Sequence, residues 1–309
     1  MDKKFLLPLL ILSSQIASAQ VVADFGSGAN SFSIDFVTIG NPGNVADTTG
    51  LPNPAGSVAY IYAIGKYEVS RDMILKATSA GGLGITLADM TTLGGNGLDR
   101  PATGVTWHEA AKFVNWLNTS KGYQAAYRFD ISGNFQLWSA GQYSGTNQYR
   151  HKDAFYFLPT SAEWYKAAFG NPDGRWSNYP NGLDSLPASV SGGTANNTAV
   201  YLQPSSAGPA DIKNAGGLSG YGTMAQGGNV MEWIETASDG VNNTTGENRE
   251  TRSGFWDGIS DYFQSSVRNS STPTHETSRI GFRVASVPEP SSANLFILGL
   301  ATALARRRR

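Results

Sequence analysis

Apolar and polar residues alternate over Phe32-Ser33-Ile34-Asp35-Phe36-Val37-Thr38-Ile39, the period of a strand with one buried face. A loop rich in Gly, Pro and Asn follows to Ala55, and Ala59–Val69 reads as a second strand. Ser70 then caps a short helix predicted to run to about Ala80. Two further helix starts are written as capping boxes, Thr106-Trp107-His108-Glu109 and Thr160-Ser161-Ala162-Glu163. Behind the first, Trp107, Ala110, Ala111, Val114 and Leu117 keep helical spacing; behind the second stand Trp164, Ala167 and Ala168. After Gly170 the chain reads as loops with few regular elements until an apolar stretch at Arg279–Val284. Few helices, many loops and a terminal strand predict an α+β fold.

Composition narrows the picture. Forty per cent apolar residues in a 309-residue chain suffice for a substantial core, and 36 glycines assign much of the rest to turns. Cysteine is absent, which excludes disulfides and every thiol-based mechanism. Without Asp2, Lys3, Lys4 and the four terminal arginines, 17 basic residues face 23 acidic ones, a net charge of −6. A nucleic-acid partner is not expected, because phosphate binding needs a basic face.

Both ends carry export features. Lys3-Lys4, the apolar run Phe5–Leu12 and Ala17-Ser18-Ala19 form a signal peptide expected to be cut by signal peptidase after Ala19. The other end reads Pro288-Glu289-Pro290, a mostly apolar Ala293–Ala305, then Arg306–Arg309. That apolar segment spans about 20 Å as a helix, short of a ~30 Å hydrocarbon core, and the arginines favour the cytoplasmic side. A transient membrane contact through the tail is expected. The three parts resemble the PEP-CTERM sorting signal of Gram-negative bacteria that make exopolysaccharide, which implies exosortase processing and a cell-surface or extracellular location. The expected organisation is a signal peptide at 1–19, an N-terminal strand segment at 20–57, the main domain at 58–286 and a sorting tail at 287–309.

Five segments in order resemble the formylglycine-generating enzyme (sulfatase-modifying factor) family: Ile64–Ser70, Pro101–Trp107 with Ala110-Ala111, Phe157–Trp164, Gly228-Asn229-Val230-Met231-Glu232-Trp233, and Gly281-Phe282-Arg283-Val284. The resemblance implies a C-type-lectin-like fold, loop-rich, with short helices packed on small twisted antiparallel sheets. That family activates sulfatases with a copper-binding cysteine pair, and the corresponding stretch here, Phe255–Gln264, has none. Ser and Asp do not replace thiolates as soft copper ligands, so neither bound copper nor formylglycine generation is expected. The family's calcium site implies main-chain oxygens of Gly228 and Val230 and the carboxylate of Glu232 as ligands. Ala225, where many relatives carry Asn or Asp, departs from that pattern. Glu232 therefore has two readings: a calcium ligand, or a structural acid bonded to loop amides or paired with an arginine such as Arg283.

Other chemistry is sparse. His108-Glu109 lacks the second histidine of a zinc-protease helix, since position 112 is Lys, and the capping box accounts for Glu109. His151 and His275 share no metal-ligand spacing with it. Tyr123, Tyr127, Tyr143, Tyr149, Trp176, Tyr179 and Tyr201 fall in expected loops, either covering the core or stacking on sugars. Two functions remain: a non-catalytic binding module for glycan, exopolysaccharide or a surface protein, and an enzyme of the same family with altered, metal-dependent chemistry.

Overall fold

The computed structural model describes residues 20–288. The expected helices are present as α1 (Arg71–Gly81), α2 (Trp107–Ser120) and α3 (Ser161–Phe169). The Ser70 hydroxyl accepts the Met73 N–H, and both capping boxes close reciprocally, Thr106 with Glu109 and Thr160 with Glu163. Each cap satisfies helix N–H groups that would otherwise be orphaned.

Five strands form the first sheet, in the order β1 (Gln20–Phe25), β2 (Phe32–Ile39), β3 (Tyr62–Gly65), β13 (Ala285–Ser286) and β6 (Tyr156–Phe157), all antiparallel. The 20–57 segment is thus continuous with the main sheet. A second sheet runs β11 (Asn269–Ser271), β10 (Arg249–Arg252), β9 (Met231–Ala237) and β12 (Ile280–Gly281), with β12 parallel to β9. Two small pairs complete the set: β4 (Arg128–Phe129) with β5 (Phe135–Gln136), and β7 (Ala188–Ser189) with β8 (Thr198–Ala199). Helices beside curled, mainly antiparallel sheets make this an α+β fold.

Three strand expectations need correction. The second strand is only Tyr62–Gly65, so Tyr60 and Ile61 lie outside it and are exposed. The closing apolar stretch is not one strand. It leaves the second sheet after Gly281 and enters the first at Ala285, while the Phe282 and Val284 carbonyls receive the N–H groups of Val69 and Gly65. The region after Gly170 also holds more regular structure than its pattern suggests, because Met231–Ala237 and Arg249–Arg252 are buried strands that carry charges.

Helix α2 is tied to both sheets. Trp107 Nε1 donates to the Ile234 carbonyl at 3.0 Å and Trp233 Nε1 to the Val105 carbonyl at 2.9 Å, a reciprocal staple between its start and β9. At its far end, Asn118 Nδ2 donates to the Tyr156 carbonyl and Oδ1 accepts the N–H groups of Phe155 and Tyr156. These bonds fix β6, and with it the start of α3.

Candidate functional site

Glu232, on β9, has no solvent contact, and its carboxylate meets the equally buried Arg283 through two bonds of 2.6 Å. Trp164 Nε1 donates to the same carboxylate at 2.7 Å. The remaining Arg283 donors go to the carbonyls of Gly65 and Met224, both at 2.8 Å, so the guanidinium knits β3, β9 and the 224 turn together. A second buried acid, Glu68, accepts Asn229 Nδ2 at 2.6 Å and the Val230 N–H at 3.2 Å. Burial, then the neighbouring Glu232 charge, pushes the Glu68 carboxyl well above the usual carboxylate range.

The resemblance implies a calcium site in this segment on Gly228, Val230 and Glu232, against a structural-acid reading of Glu232. Gly228 is at φ +133°, and a Cβ there would stand 2.3 Å from the Val200 carbonyl oxygen, so packing alone requires glycine. Asn229, at φ +60°, spends its side chain on Glu68 and Ala210. Glu232, the charged ligand the site would need, is committed to a guanidinium and an indole. This donor set does not fit a calcium shell of several free oxygens. Among the described residues, no group of three or more His, Cys, Asp or Glu side chains is placed to hold a metal ion.

The Phe255–Gln264 stretch, where the resemblance places catalytic cysteines, is built around an ion pair instead. Arg279 meets Asp257 at 2.9 and 2.6 Å, and Ser205 Oγ donates to the same carboxylate at 2.6 Å. The Arg279 hydrogen bond, joined by that of Ser205, outweighs partial burial and holds the Asp257 carboxyl below the usual range. Trp256 is fully buried beside it.

A broad concavity lies elsewhere among the described residues. It is an open cleft of about 620 Å³ where the start of β3, the end of β6, the 144–152 loop and the Thr160 cap of α3 converge. Its apolar wall includes Tyr60, Ile61 and Phe157, and its lining also holds Arg150, His151 and Lys152. Tyr60 is 48% exposed and Ile61 41%. Beneath the cleft lie Glu163 and Glu235, both without solvent contact. Tyr60 Oη donates to Glu163 at 2.7 Å, and the Thr160 N–H and hydroxyl occupy its other oxygen. Glu235 accepts Asn147 Nδ2 and, at 2.7 Å, Tyr127 Oη. Arg150 stands between the two acids, 3.6 Å from Glu163 and 3.4 Å from Glu235, with its guanidinium 3.9 Å from the centre of the Phe157 ring. Burial pulls the Arg150 pKa down, but the two carboxylates outweigh it and secure the positive charge. Burial pushes the Glu235 carboxyl up, against the pull of Arg150. The cleft therefore has a rigid, hydrogen-bonded floor and an exposed aromatic rim.

The sequence-selected residues scatter. His108 packs among Trp107, Phe129 and Phe135, and its Nε2 has no hydrogen-bond partner among the described residues. His151 alone of the three histidines reaches the cleft. Of the loop aromatics, Tyr127, Tyr149 and Tyr201 are buried and cover the core, and Tyr123 is 38% exposed. Tyr60 was missed because it sits inside an apparent strand. Its visible signal was the run Tyr60-Ile61-Tyr62, with no polar residue between the rings. Pro288 lines the cleft, whereas Ala19, Glu289 and Pro290 lie outside the described residues.

Residues 37–287 match the sulfatase-modifying factor enzyme 1-like domain, and residues 286–309 match the PEP-CTERM protein-sorting motif. The sorting motif marks the chain for exosortase processing during export to the surface of Gram-negative cells. No curated protein matches the chain. Among solved structures, Treponema denticola variable protein 1 is similar over 87% of this chain and 99% of its own, at 22% identity and a TM-score of 0.58. CarF is similar over 83% and 99%, at 20% identity and a TM-score of 0.56. PvdO from Pseudomonas aeruginosa is similar over 86% and 98%, at 17% identity and a TM-score of 0.53. At these identities the likeness establishes a shared fold.

Proposed function

The chain belongs to the sulfatase-modifying factor enzyme 1-like domain family, and we propose that it is an exported, non-catalytic binding module whose cleft takes a segment of extracellular polysaccharide. The observation that carries this reading is the cleft itself: an exposed Tyr60 ring beside hydroxyl-bearing loop residues, over a polar floor whose acids are already bonded. Aromatic faces with a few fixed polar groups are how proteins hold sugars against water. The family's thiol chemistry is closed to a chain without cysteine, and Asp257 and Arg279 fill that face with a structural pair. Signal peptidase cutting after Ala19 and exosortase acting at Pro288-Glu289-Pro290 deliver the domain to the polymer. The test is retention of the exported protein on exopolysaccharide from its own host. Tyr60→Ala is expected to weaken retention at least tenfold, while Tyr60→Phe, which keeps the ring, retains it. Equal retention of wild type and Tyr60→Ala would remove the cleft from the account.

A further inference from the structure

The charged side chains lining the cleft, Arg150 and Lys152, are both basic, and the His151 imidazole lies between them in sequence. The two acids beneath the cleft are fully buried, and their hydrogen bonds come from neutral donors. Arg150 is half-buried and differs from the buried Arg252 and Arg283. Arg252 and Arg283 spend their donors on carbonyls and carboxylates, whereas Arg150 makes no hydrogen bond among the described residues. Its contacts with Glu163 and Glu235, at 3.6 and 3.4 Å, secure its charge and position without using its N–H groups well. Stacking on Phe157 fixes the plane of the guanidinium. Lys152, exposed and without an ion pair among the described residues, adds a charge that no nearby acid in the lining offsets.

We infer that the cleft is selective for acidic saccharide, with Arg150 and Lys152 receiving the carboxylate of a uronic acid residue while Tyr60 carries a neighbouring ring. This rests on the saccharide reading above and adds to it the chemistry of the sugar. A planar, pre-oriented guanidinium matches a carboxylate through two parallel bonds, and a mobile ammonium beside it adds attraction that salt screens. His151 is the weaker contributor. Its Nδ1 accepts the Asp153 N–H at 3.2 Å, and its ring packs on Trp138.

The experiment compares three probes on the exported protein: an oligouronide, the same oligomer with its carboxyls reduced to alcohols, and total exopolysaccharide from the host. The expected result is binding of the oligouronide that is at least tenfold tighter than binding of its reduced form and falls steeply with salt. Lys152→Glu, at an exposed position, should abolish the preference without altering the melting temperature, and Lys152→Arg should restore it. Equal binding of the charged and reduced oligomers would overturn the charge selectivity and leave the saccharide reading standing. Failure of all three probes would overturn both.

Discussion

Arg283 and Glu232, neither of which touches solvent, meet through two charge-assisted hydrogen bonds of 2.6 Å at the junction of the two main sheets. Removing one partner strands a buried charge. Glu232→Gln is expected to cost about 3–5 kcal/mol of stability, and Arg283→Met a comparable amount. Urea unfolding of each variant checks this, and a loss below about 1 kcal/mol would show that the pair is dispensable.

The same pairing bears on calcium. With Glu232 given to Arg283, the melting temperature is expected to stay constant when a chelator is added and when calcium is restored. A midpoint that falls with chelator and recovers with calcium in wild type, but not in Glu232→Gln, would return Gly228, Val230 and Glu232 to a cation.

His108 supplies a pH dependence. Burial, then the charges of Arg249 and Lys112, depresses its pKa from the ordinary 6.5 to about 4. A depressed imidazole stabilises the fold above the unfolded pKa, and that contribution is lost as pH falls from about 6.5 towards about 4. Allowing for partial solvent access, the loss is about 1–2 kcal/mol. His108→Phe should flatten this part of the stability–pH curve, as read by chemical unfolding at pH 7, 5.5 and 4. An unchanged curve in the variant would place the acid sensitivity elsewhere.

The residues best read from sequence were those whose local chemistry and tertiary role agree. Thr106 with Glu109 and Thr160 with Glu163 form the helix starts their spacing announces. The misread residues are buried charges. Arg249-Glu250-Thr251-Arg252 lies in the region that reads as loop, yet all four are buried in β10, with Arg252 bonded to Glu250 and to the Leu51 carbonyl. Burial of charge depends on partners far away in sequence, as with Glu232 and Arg283, 51 residues apart. Hydrophobic period cannot report that. The cleft was illegible for the same reason. It joins Tyr60, Arg150 and Thr160 from segments far apart in the sequence.

Sulfatase-type activity offers a sharp negative. A Cys-x-Pro-x-Arg peptide incubated with the copper-loaded protein is expected to remain unconverted, because no thiolate is present to hold the metal. Mass spectrometry of the peptide reads the outcome, and the mass loss of formylglycine formation would refute it.

The central claim is that the cleft beside Tyr60 and Arg150, not the face at Phe255–Gln264, is where the protein meets its ligand. Hydrogen exchange on the exported protein, with and without host exopolysaccharide, tests this directly. The account predicts slowed exchange at residues 60–62 and 144–152, with residues 253–264 unchanged. Protection confined to 253–264, or no protection at all under saturating polymer, would contradict it.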